Sequence, residues 1–121
     1  MLAPDATADE VIDAVHEFLS EPGRWHGDNA TREGDFCTGG ALNAEGRQVQ
    51  PDDPTAKQFC ILGAFKYLTG VVDQWPLPGE IGKAFDRVGA AAGWEPGMCH
   101  NDRDGYEAVM AALEKARLTS Y

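Results

Sequence analysis

Cys60, His100 and Asn101 or Asp102 are the residue types that a cysteine hydrolase needs. They would supply a thiolate, a base and a group that orients the base. Their chain order, Cys then His then Asn or Asp, is compatible with papain-like chemistry. The surroundings of Cys60 argue the other way. Phe59, Ile61, Leu62 and Ala64 suggest apolar burial, which disfavours a thiolate, whereas reactive cysteines sit at helix N-termini. If the helix containing Cys60 starts at Pro54, the thiol falls in its second turn, and no oxyanion loop is evident beside it. A buried core thiol is the plainer reading.

Cys37, Cys60, Cys99, His26 and His100 could in principle gather around zinc. Structural zinc sites normally show close ligand pairs such as C-x-x-C. Only Cys99-His100 is close, and adjacent residues rarely both reach one tetrahedral ion. Asp52-Asp53 and Asp102/Asp104 are paired acids that could hold a hard cation. No twelve-residue calcium loop accompanies them, and helix capping accounts for Asp53 and Asp104. Neither G-x-x-x-x-G-K nor G-x-G-x-x-G occurs. The expectation is no metal and no cofactor, with three reduced cysteines rather than a disulfide framework.

Charge is the stronger signal. The chain has 121 residues and a formal net charge of −10. Residues 1–53 hold 12 Asp and Glu against 3 Lys and Arg, a net of −9, while residues 54–121 are nearly neutral at −1. Such a balance disfavours direct binding to nucleic acid, whose phosphates attract Lys and Arg. Asp9, Asp13 and Glu17 follow one another at i,i+4 spacing, with Glu21 one turn further. Like charges so placed repel by about 0.2–0.5 kcal/mol per pair. No base precedes Arg24 to relieve them. A solvated helix face is the plain reading; a surface that steers a basic partner is the alternative. Asp28 and Asp35 extend the acidic stretch, and Trp25 and Phe36 could anchor an interface. Trp25 is read first as a residue that fixes a loop onto the helices.

These residues need elements to hold them. The first helix is expected over Ala8–Ser20. Thr7 and Glu10 have capping-box spacing, and Val11, Ile12, Val15, Phe18 and Leu19 share a face. Residues 21–53 form a long loop rich in Gly, Asp and Asn, an uncommon length that is often functional. Within it, Ala41-Leu42 and Gln48-Val49 flank a turn at Asn43–Arg47 and predict a short β-hairpin. The second helix is expected to open at Asp53-Pro54 and run to Gly70, apolar nearly all round and therefore central. A third should span about Gly79–Ala91. A fourth should span about Gly105–Arg117, capped by Asp104 with Glu107, with Tyr106, Val109, Met110 and Leu113 as its buried stripe.

The ordered fragments Trp25, Ala44-Glu45-Gly46-Arg47, Asp53-Pro54, Cys60-Ile61-Leu62-Gly63-Ala64 and Asn101-Asp102 resemble a small bacterial and phage family, a domain of unknown function. The resemblance covers about Trp25 to Ala116. Two departures are the length of Asp28–Gly40, with its Cys37, and His100 in place of an aromatic before Asn101. The resemblance implies a fold and a phage or bacterial setting, and carries no reaction.

The expected protein is thus a single domain over residues 1–121, mainly α, a compact bundle of about four helices with one hairpin and a long loop. No apolar run approaches the ~20 residues of a membrane span, and the N-terminus lacks the marks of a secretory signal, so a cytoplasmic location is expected. The expected function is non-enzymatic. Asp9, Asp13, Glu17, Glu21, Asp28, Asp35, Trp25 and Phe36 would bind a protein partner with a basic surface, inhibiting a nucleic-acid-binding protein in the sharpest version. The alternative is a cysteine-dependent hydrolase or transferase using Cys60, His100 and Asp102.

Overall fold

Thr7 and Glu10 close the first helix as their spacing predicts. The Glu10 N–H donates to Thr7 Oγ1 at 3.2 Å and the Thr7 N–H donates to Glu10 Oε1 at 2.9 Å. This reciprocal cap satisfies two donors that helix geometry leaves without partners. In the computed structural model, which describes residues 2–3, 5–25, 41–72, 74, 77–95 and 105–118, helix α1 spans Ala8–Ser20. Its stripe of Val11, Ile12, Val15 and Leu19 is fully buried.

The remaining described helices are α2 (Ile61–Thr69), α3 (Gly79–Ala92) and α4 (Tyr106–Arg117). About 54% of the described residues are helical, so the chain is mainly α. Helix α1 packs against all three others. In the shared core, Phe65 of α2 meets Phe85 of α3 edge to face at 5.2 Å. Gly93 ends α3 in a left-handed conformation, φ 80°, which a residue without Cβ adopts at little cost. The Gly93 and Trp94 N–H groups donate back to Ala90 and Gly89, the paired closure that glycine allows at a helix end. No helix among the described residues is long and apolar enough to cross a membrane.

The sheet is larger than the pair of strands read from the sequence. Strands β1 (Ala41–Leu42) and β2 (Gln48–Val49) pair antiparallel around a turn in which Asn43 Oδ1 accepts from the Glu45 and Arg47 N–H groups. A third strand, β3 (Gln58–Phe59), pairs antiparallel with the other edge of β1, giving the order β2-β1-β3.

Strand β3 explains the main correction to the sequence reading. The second helix was expected from Asp53-Pro54 but begins at Ile61. Asp53 does not cap a helix. Its carboxylate accepts from the Thr55 hydroxyl at 2.6 Å and the Thr55 N–H at 2.8 Å, closing a local turn. Those bonds, the hydroxyl first, hold the Asp53 carboxyl below its ordinary pKa. The Lys57 N–H then donates to Leu42 O and the Phe59 N–H to Arg24 O. Helical geometry would break both long-range bonds. The fourth helix also departs from expectation at its start. Its N-cap is Gly105, which carries no side chain to cap with, and Asp104 lies outside the described residues.

Two contacts between helices fix the packing. Arg87 of α3 donates from Nη1 to Asp9 Oδ1 of α1 and from Nη2 to the Ala116 carbonyl of α4, both at 2.6 Å. Its side chain is only 16% exposed. Glu80 of α3 accepts from the Ala8 N–H at 3.1 Å, so a neighbouring helix also caps α1. Its ion pair with Lys83, aided by that N–H, lowers the Glu80 pKa.

Gly82 is required for space. A Cβ there would lie 2.2 Å from the backbone oxygen of Leu77. The helix-propensity gain of alanine, about 1 kcal/mol, does not offset that overlap. Gly82→Ala is expected to cost about 1–3 kcal/mol of stability, read as a lower Tm; an unchanged Tm would show that Leu77 moves aside freely. Arg87→Ala should cost about 1.5–3 kcal/mol in denaturant unfolding, the range for hydrogen bonds to or from charged groups.

Candidate functional site

The acidic face of α1 does not stay single-signed once the chain folds. Asp9 is paired with Arg87, and Asp13 accepts from Arg117 Nε at 3.0 Å. Arg117 also pairs with Glu114 at 2.8 Å, and Glu114 Oε2 lies 3.1 Å from His16 Nε2. The Asp13 bond is the main cause that raises the Arg117 pKa, followed by the bond to Glu114. The first half of the face is therefore paired rather than single-signed, with the Asp9 and Asp13 side chains still 47% and 62% exposed, which corrects the expectation of an unrelieved run. Its neutralising bases come from α3 and α4.

Glu17 and Glu21 differ. Both are exposed, and neither forms an ion pair among the described residues. Aromatic rings cluster by the end of α1. Phe18, half-buried, meets Phe59 at 5.1 Å and Tyr67 at 5.3 Å, and the Arg24 guanidinium sits 4.5 Å from the Phe18 ring centroid. Trp25 bridges to Phe59 in parallel sense, on the side of β3 opposite β1, and its ring meets Tyr106 at 5.6 Å. Trp25 thus fastens the chain after α1 onto both sheet and helix while staying half-exposed.

Tyr67 and Tyr106 are 41% and 37% exposed. From the sequence Tyr106 belongs to a buried stripe; both instead stand at the margin of their helix's apolar face. The Tyr106 hydroxyl donates to the Leu19 carbonyl at 3.0 Å. Beside it, Ser20, Glu21, Pro22, Gly23, Trp25 and Tyr106 line a cavity of about 350 Å³ at the C-terminal end of α1. Of the remaining binding candidates, Asp28, Asp35 and Phe36 lie outside the described residues.

Cys60 is the N-cap of α2, not a second-turn residue as expected. Its Sγ accepts from the Gly63 N–H at 3.2 Å. It is also fully buried. His100, Asn101 and Asp102 lie outside the described residues, so the described structure places none of them beside it. The same holds for Cys37, Cys99 and His26 of the zinc set. Among the described residues no group of three or more His, Cys, Asp or Glu could hold a metal ion.

A substrate can reach a wholly buried sulfur only when the structure opens. Iodoacetamide should therefore label Cys60 in the folded protein at least about tenfold more slowly than a free thiol, read by peptide mass spectrometry against the unfolded chain. Labelling faster than the free thiol would point to an activated nucleophile instead.

No protein-family model, curated protein or solved structure matches this chain.

Proposed function

We propose that the chain is a small, non-enzymatic interaction protein that binds a protein partner with a basic surface. The carrying observation is the exposed pair Glu17 and Glu21, which have no ion-pair partner among the described residues, with Glu21 lining a cavity together with the half-exposed rings of Trp25 and Tyr106. Interface hot spots favour Trp, Tyr and Arg. A net charge of −10 adds a long-range field that speeds encounter with a cationic surface. In the sharpest form of this reading the carboxylates stand in for phosphates and inhibit a nucleic-acid-binding protein. The four helices and the β1–β2 hairpin would then form one compact bundle that holds the surface in place. The protein would act in the cytoplasm, the host's if the chain is phage-encoded, which is the setting the family resemblance implies.

The second reading is a hydrolase or transferase using Cys60 with His100 and Asp102. Its supporting observation is the position of Cys60 at a helix start, where reactive thiols occur. Its full burial weighs against this.

Charge reversal separates the two halves of the face. With a partner recovered by affinity purification from the native host, the double variant Glu17→Lys/Glu21→Lys should bind at least about tenfold more weakly, with a shallower salt dependence and an unchanged Tm. Asp13→Asn should lower Tm slightly and leave binding intact. Unchanged binding by the double variant would overturn the proposal.

A further inference from the structure

The cavity at the C-terminal end of α1 has the chemistry of a cation site on several independent counts. A helix C-terminus carries partial negative charge from its terminal carbonyls. Here the last turn of α1 contains no basic residue, and among the described residues its Leu19 carbonyl accepts only from the neutral Tyr106 hydroxyl. Glu21, exposed, adds a full negative charge to the cavity wall. Trp25 and Tyr106 contribute rings, held at an interplanar angle of 61° with centroids 5.6 Å apart. Ring faces attract cations, tryptophan most strongly. The nearest base in sequence, Arg24, does not line the cavity; its guanidinium is held over Phe18.

We propose that this cavity receives an arginine side chain presented by the partner, a proposal that rests on the basic-partner reading above. Its volume of about 350 Å³ admits one long side chain. A guanidinium is planar, so it can lie against an indole ring while its edge offers paired donors to a carboxylate. A lysine ammonium supplies charge without the flat stacking surface. Phosphates and acidic side chains are repelled by the same Glu21 and helix end. The site therefore selects within basic partners, where the net charge alone selects only their sign.

The test is titration at low salt with three hexapeptide probes, hexa-arginine, hexa-lysine and hexa-glutamine, followed by the Trp25 indole N–H resonance and by calorimetry. Hexa-arginine is expected to bind at least threefold more tightly than hexa-lysine and to shift the Trp25 signal, with hexa-glutamine not binding. Glu21→Gln and Tyr106→Leu should each weaken hexa-arginine at least fivefold. Glu17→Gln removes the same charge one turn away, outside the cavity, and should weaken it less than twofold. Tm measurements establish that each variant is folded, and Glu21→Gln, at an exposed position, keeps the test decisive if Tyr106→Leu does not fold. Equal losses in Glu17→Gln and Glu21→Gln would overturn the cavity and leave the acidic-surface reading standing. Equal affinity for hexa-lysine would overturn arginine as the occupant, and absence of hexa-arginine binding would overturn the site outright. The basic-partner reading itself falls only if the Glu17→Lys/Glu21→Lys variant keeps its protein partner.

Discussion

One guanidinium joins three of the four described helices. Arg87 extends from α3 to the Asp9 carboxylate near the start of α1 and to the Ala116 carbonyl near the end of α4. Both contacts suit the local electrostatics. Asp9 lies in the first turn of α1, where the helix dipole favours an acid, and Ala116 lies in the last turn of α4, where it favours a base. The apolar core sets how closely the helices approach, but apolar contact is non-directional. The forked, nearly buried Arg87 supplies direction, so the register of α1 against α3 and α4 depends on it.

That seam divides the acidic helix into two parts with different work. Asp9 and Asp13 pair with bases of α3 and α4, and Glu17 and Glu21 face solvent, Glu21 beside Trp25 and Tyr106. The division places the surplus charge at one end of α1, the end whose dipole is already negative. Repulsion there opposes stability, and nothing described offsets it within α1. A binding surface is one physical reason for a fold to carry such a cost.

Local rules made α1 readable from its residues, because the Thr7–Glu10 box and the Val11, Ile12, Val15, Leu19 stripe are all settled within the segment. The start of α2 was not readable in that way. Asp53-Pro54 carries a sound local start signal, but the Lys57 N–H is claimed by Leu42 and the Phe59 N–H by Arg24. Long-range pairing overrides a cap when the sheet needs the same backbone donors. The paired half of the acidic face was hidden for the same reason: Asp9 lies 78 residues from Arg87, and Asp13 lies 104 residues from Arg117. In the candidate site, Glu17, Glu21 and Trp25 were legible from charge spacing and residue type. Tyr106 was not, because helical period alone does not separate a buried stripe from its half-exposed margin.

The bridge from Trp25 to Phe59 makes the end of α1 and the sheet one cooperative unit. Phe59 pairs with Ala41 on one side and Trp25 on the other, so one residue of β3 holds both, about two strand spacings or ~10 Å apart. Native proteins open in contiguous cooperative units rather than residue by residue. The Lys57 and Phe59 amides, which donate to Leu42 and Arg24, therefore exchange their hydrogens together, in the single event in which β3 leaves both β1 and Trp25.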